Sequence, residues 1–271
     1  MIIHFLSSLL LCYILNVVGN LDIRNDDIYN NELQKKYDCN RPWPQLDLIL
    51  PIHLDQKSTR NSEWYDIFFR SLLLFWPFKR SRTTLRLLID QEVQAEIVEE
   101  FIENILHELS KNDIDLPIVN ITYNKYTSNV YRSGYDRQQY LMMVADNFTD
   151  AEYVGFADTD ALIHSYVDRE DIFEDGKPIV HGRIGKLKDV GTDGLKKKWM
   201  HGTFLALGYE EPMICMSYFP VVIKTSHLQL IREHIRNKFK TNTFEDAFWV
   251  FSSIGYSQFN VMVSSSTKNN P

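Results

Sequence analysis

The chain has 271 residues, 44% of them hydrophobic and 24% charged, which is ordinary for a globular domain and enough to bury a sizeable core. Its formal net charge is −7 and its isoelectric point is near 5.6, with no dense basic cluster beyond Lys196-Lys197-Lys198. Nucleic acid is therefore excluded as an expected partner.

Residues Met1 to Val18 are almost wholly apolar, interrupted by His4, Ser7, Ser8 and Asn16, and Gly19 follows as a small residue suited to cleavage. The stretch 1–19 reads as a secretory signal peptide or as a short signal anchor. Either sends the rest of the chain into the secretory pathway, secreted or in the Golgi lumen, and an anchor would be its only membrane contact. Two sequons, Asn120-Ile121-Thr122 and Asn147-Phe148-Thr149, agree. With Cys12 inside the signal, Cys39 and Cys215 either form a disulfide or leave Cys215 as a buried free thiol. Residues 20–44 read as a linker or N-terminal arm, and the folded domain is expected over 45–271.

Leu46 to Ile52 predicts a first strand, followed by a helix capped by Ser62 and running to Leu74, with Trp64, Ile67, Phe68, Leu72 and Phe75 on one side. Leu85 to Ile89 predicts a second strand that ends at Asp90. Apolar residues at Val93, Ile97, Phe101, Ile105 and Leu109 then mark a helix within Gln91 to Lys111. Pro117 to Tyr123 is a third strand, Asp136 to Asn147 a helix, and the run from Tyr153 a fourth strand. This alternation predicts an α/β fold with a mainly parallel, doubly wound sheet and helices on both faces. Beyond it, Asp168 to Gly176 reads as a short helical turn, Lys177 to Ile184 as a strand, and the glycine- and lysine-rich Gly185 to Gly208 as a mobile substrate loop. Thr225 caps a helix over Ser226 to Lys238, Phe244 to Trp249 and Tyr256 to Met262 have helical spacing, and Ser264 to Pro271 reads as a fraying tail.

The chemistry centres on Asp158-Thr159-Asp160, where the fourth strand's apolar run ends in two carboxylates. Mg²⁺ and Mn²⁺ take oxygen ligands and are often held by one or two carboxylates plus substrate phosphates. Side chains at i and i+2 of a strand lie roughly 6.6 Å apart, so the chain must bend or one acid must bind through water. A second such triplet, Asp113-Ile114-Asp115, falls at the entrance of the third strand and reads as a solvated turn, because ligands of open α/β sheets bind beyond the carboxyl ends. Arg137, at a helix start beside Gln138, offers a guanidinium either to bind phosphate or to neutralise Asp158 and Asp160 in the empty site, or else is a surface residue of a helical first turn.

Gly134-Tyr135-Asp136-Arg137-Gln138-Gln139 before a helix, the strand ending Asp158-Thr159-Asp160, Phe219-Pro220, and the late Ser257-Gln258-Phe259-Asn260 together resemble the GT-A class of nucleotide-sugar glycosyltransferases over roughly Leu46 to Met262. The resemblance implies a Rossmann-like GT-A fold and a metal-dependent transfer of sugar from a nucleotide-sugar donor to a glycan, protein or small-molecule acceptor. It assigns Mn²⁺ or Mg²⁺ to Asp158 and Asp160. It also nominates Pro51, His53, Asp55 and Asp90 on the nucleotide side, where Asp90 either accepts from ribose hydroxyls or caps the helix that follows, and Arg137, Gln138 and Asp158 are further candidates for binding the nucleotide sugar. Many relatives place Glu where this chain has Gln258, and an amide is no general base. The base for an inverting reaction then falls to Glu245 or Asp246, whereas in a retaining one Gln258 faces the sugar. Relatives also supply a late metal ligand, commonly His, and this chain stops soon after Asn260. Water, His181 or His201 completes the site, or the sequence is truncated. The rival expectations are a sugar-nucleotide-binding protein without turnover and a metal-dependent phosphohydrolase, which usually needs more acidic and His ligands than stand beside Asp158.

Overall fold

The computed structural model describes residues 41–52, 64–90, 95–110, 117–124, 134–184, 194–209, 213–214, 218–252 and 255–268. The signal or anchor, most of the arm, Cys39, Cys215, His53, Asp55, Ser62 and the Asp113/Asp115 pair lie outside the described residues.

In chain order come β1 (Leu46–Ile52), a π-helical turn over Trp64–Phe69 that runs into α1 (Arg70–Phe75), β2 (Thr84–Asp90), α2 (Ala95–Ser110) and β3 (Ile118–Asn124). Then follow α3 (Gly134–Met143), β4 (Tyr153–Phe156), α4 (Gly194–Leu207), β5 (Val221–Lys224), α5 (Thr225–Phe239), α6 (Phe244–Ser252) and α7 (Gln258–Lys268). The five strands form one sheet in the order β3-β2-β1-β4-β5, with the first four parallel and β5 antiparallel to β4. The chain is thus α/β with a mainly parallel sheet. Among the described residues, no helix is long and apolar enough to cross a membrane.

β1 is buried along its whole length, as a strand covered on both faces must be. Alternation sends Leu46, Leu48, Leu50 and Ile52 to the face packed by Phe68, Phe69, α1 and Ile102 of α2. Ile49 joins Val154, Phe156, Val221 and Ile223 on the other face, against α3, α4, α5, α6 and α7. The exception is Asp47, only 4% exposed, whose carboxylate accepts from Arg86 Nε and from Thr149 Oγ1.

β4 leaves the ladder after Phe156, opposite Ile49, while β1 continues to Ile52. Pro51, with no N–H to donate, falls in this stretch where one edge of β1 has lost its partner. The chain moves outward from β1 to β2 and β3, then returns to β4 on the other side of β1. The carboxyl ends of β1 and β4 are therefore the switch point at which open α/β sheets form a binding crevice.

Several expectations are corrected. Gly194–Leu207 is a helix, not a loop, and of the predicted loop only 185–193 lies outside the described residues. The misleading glycines serve tertiary packing and helix termination. Gly208 stops α4 with φ +85° and its N–H donates to Phe204 C=O at 2.7 Å. Lys177 to Ile184 is not one strand: Lys177–Pro178 pairs with Phe173–Glu174 about a tight turn, and Arg183–Ile184 pairs with Met213–Ile214. Asp168 caps the short helix Arg169–Ile172 in a reciprocal box with Asp171. The helix expected to reach Asn147 ends at Met143 and is followed by a 3-10 turn, because Arg232 of α5 donates to Met143 C=O at 2.8 Å and pairs with Asp146. Thr225 does not cap α5 but begins it, and its hydroxyl donates to Ala151 C=O at 2.6 Å. Ile67 is 39% exposed, and Phe69 and Leu73 are buried beside Phe68 and Leu72 instead. The expected tail from Ser264 is part of α7, with Ser264 and Ser265 buried.

Candidate functional site

β4 delivers the chain into a turn in which Ala161 N–H donates to Asp158 C=O at 3.0 Å. Asp158 is half-buried and Asp160 exposed. Among the described residues neither carboxylate has an ion-pair partner. Burial, and then the charge of Asp160, push the Asp158 carboxyl up from 3.8 to about 6. Two neighbouring acids held this way form an anionic centre with no ion-pair partner among the described residues.

Other groups converge on it. Tyr135, on the first turn of α3, is raised by burial and then by the charges of Asp158 and Asp136. Tyr256, just before α7, is buried, and its hydroxyl has no hydrogen-bond partner among the described residues. Its phenol is raised well above the ordinary value, by burial first and then by Tyr135 and Asp136. The ring is held edge-on by Phe251 and Phe248, with centroids 4.8 and 5.6 Å away. Gly202 of α4 backs this turn so closely that a Cβ there would stand 2.2 Å from Gly255 O and 2.7 Å from Tyr256 Cβ. Only glycine permits that approach. Asp136 and Tyr256 escaped the sequence reading as site residues. Asp136 lies inside the Gly134 to Gln139 motif, which was a signal, whereas Tyr256 reads as an ordinary apolar helix position.

The remaining candidates scatter. Arg137 and Gln138 follow Asp136 on α3, both half-buried. Pro51 is buried at the end of β1, and Asp90 ends β2 opposite Asn124 of β3, on the far side of β1 from β4. Gln258 is 1% exposed, and its amide nitrogen donates to Met142 Sδ at 3.3 Å, which packs α7 onto α3. Asp246 accepts from the Thr243 hydroxyl at 2.7 Å while its own N–H donates to Thr243 Oγ1, so Thr243 caps α6 and Asp246 is tied to that cap as the third residue of the helix. Glu245 acts on Tyr140, further along α3 than Tyr135. His181 is exposed with its ring 5.5 Å from that of Tyr218, and His201 is exposed on α4. Among the described residues no group of three or more His, Cys, Asp or Glu comes together, so neither His joins Asp158 and Asp160.

Because both causes oppose the charged form, ionised Asp158 is a cost to folding. Its contribution to stability is fully present below the unfolded value of 3.8 and is lost as pH rises through about 6. Asp158→Asn is therefore expected to raise the melting temperature at about pH 8, by a stabilisation on the order of 2 kcal/mol, and to leave it unchanged near pH 3. Thermal melts of both proteins check this, and equal shifts at the two pH values would rule out an electrostatic origin.

No curated protein is similar enough to the chain to match it. Residues 43–262 match the family of unknown function DUF6492, which covers most of the 271 residues, and the chain belongs to that family.

Proposed function

We propose that the protein is a metal-dependent glycosyltransferase of GT-A type that moves a sugar from a nucleoside-diphosphate sugar to an acceptor hydroxyl in the secretory pathway. One observation carries the reading: Asp158 and Asp160 stand uncompensated among the described residues at the carboxyl end of β4, where the strand order switches. The donor set fits a hard divalent cation, since two carboxylates with open oxygen positions beside them suit Mg²⁺ or Mn²⁺ with phosphate oxygens. Asp158 and Asp160 would hold the ion, which when bound supplies a Lewis acid for the departing diphosphate.

The chain's own groups account for the rest. Arg137 brings a guanidinium to the first turn of α3, suited to a phosphate oxygen pair. Tyr135 stays protonated beside Asp158 and is a hydrogen-bond donor at neutral pH. Transfer breaks the bond between the anomeric carbon and the diphosphate oxygen, forms one to the acceptor oxygen, and releases the acceptor's proton. Asp136, which acts on the same tyrosine as Asp158, is the group we assign to take that proton.

A thermal-shift screen of UDP-, GDP- and CMP-sugars with and without Mn²⁺ tests the proposal. At least one nucleoside-diphosphate sugar is expected to stabilise the protein only with the metal, by about 2.7 kcal/mol at a hundredfold excess over its Kd. No shift with any donor would overturn it. Gln258, an amide where many members of the resembled class place Glu, favours a second reading, binding of the nucleotide sugar without turnover. A metal-dependent shift with no product on any acceptor would select that reading.

A further inference from the structure

We infer that the apolar cavity behind the carboxylate turn seats the aglycone of the acceptor, so that the acceptor is a glycoside carrying an aromatic or alicyclic ring; this rests on the transferase reading above. The cavity encloses about 330 Å³, within the usual range for a small-molecule site. Leu48 of β1 and Phe68, Leu72 and Trp76 line it on the α1 side, while Ala157 and Ala161, which bracket the two acids, line it on the turn side. Alternation puts Ala157 on the sheet face opposite Val154 and Phe156. The cavity and the Tyr135–Asp158 cluster therefore occupy opposite sides of one turn.

The wall is anchored at three points. Ile163 N–H donates to Ser71 Oγ at 3.1 Å, Val167 N–H donates to Phe75 C=O at 2.9 Å, and Arg80 pairs with Asp168 at 2.5 Å. A ring entering it meets a preformed surface, which keeps the ordering cost of binding small. Among the described residues the lining holds no Lys or Arg, and His164 is its one basic side chain, a poor match to the double charge of a diphosphate. A free sugar would lose its water here against apolar walls. The polar side chains of the lining, the His164 imidazole and the Tyr218 hydroxyl, offer an oxygen on the bound ring its hydrogen-bond partners. At the mouth, Leu162 and Tyr218 are 62% and 57% exposed, an apolar rim on a soluble surface that a ring would cover.

The test compares 4-nitrophenyl and methyl glycosides of glucose, galactose, mannose and xylose by calorimetry on the full chain with Mn²⁺. At least one 4-nitrophenyl glycoside is expected to bind tenfold or more tightly than its methyl partner. Leu72→Trp, which fills the cavity, and Leu162→Asp, at the exposed mouth where folding is not at risk, should bring that ratio close to one. Both should keep the metal-dependent nucleotide-sugar shift. A ratio near one in the unmodified protein overturns the inference, as does a preference that survives Leu162→Asp. Displacement of the aryl glycoside by UDP also overturns it and gives the cavity to the donor's base. Nucleotide-sugar binding without aryl preference defeats this inference alone, whereas aryl preference without any nucleotide-sugar shift supports the ring site and defeats the transferase reading.

Discussion

Asp158→Ala is expected to lower metal-dependent transfer by roughly a thousandfold or more, the loss of about 4 kcal/mol of transition-state stabilisation. The same variant is expected to melt no lower than the parent protein at about pH 8. The two outcomes belong together. Asp158 is a half-buried carboxylate held beside another, and burial followed by the Asp160 charge raises it to about 6. A residue kept for the fold alone would not be placed where its ionised form opposes folding, and its removal should relieve the strain while abolishing the chemistry. Asp160→Ala should cost less, because Asp160 is exposed and already hydrated. Transfer measured with a radiolabelled donor, and repeated with a strong chelator, reads the effect. Full activity in Asp158→Ala, or under chelation, would count decisively against a metal at this turn. A large drop in melting temperature would instead make the residue structural.

The carboxylate turn was legible in the sequence because its signal is local: four buried residues, Tyr153 to Phe156, run straight into Asp158. The parallel sheet was legible for a similar reason, since strand and helix periodicities alternate within short windows. Features decided by distant partners were not. Gly202 looked like loop chemistry, yet its missing side chain is required by the Gly255 carbonyl on another element. Ser264 and Ser265 looked like a polar tail, but Ser265 Oγ donates to its own helix at Met262 C=O, and the Tyr209 hydroxyl donates to Ser264 C=O across 55 positions. Gln258 was nominated by its place in a late motif and Asp246 as the carboxylate to replace it, and only packing reveals one against Met142 and the other tied to the Thr243 cap.

Asp47 was passed over for the same reason, its partners lying 39 and 102 positions away, and it is the site of the largest expected stability effect. Its carboxylate side chain is 6% exposed, against 21% for Arg86, so the acid is the buried member of the pair. Arg86→Met removes the compensating charge and is expected to destabilise the protein by roughly 3–5 kcal/mol, a third or more of a typical domain's total. Adding Asp47→Leu to that variant should recover most of the loss, because an apolar pair no longer carries a buried charge. Urea unfolding with unchanged slope measures both. A cost for Arg86→Met below about 1 kcal/mol would place the pair with ordinary surface bridges. The position of this network explains why it matters to the opposite end of the sheet. Thr149 ties the segment entering β4 to Asp47 of β1, and Tyr153 N–H donates to Gln45 C=O at 2.9 Å just beyond. These contacts set the register that puts Phe156 opposite Ile49. A slip of one residue would turn Asp158 toward the cavity face and Ala157 toward Tyr135, so the buried pair at the amino end of the sheet fixes which side of the turn is anionic.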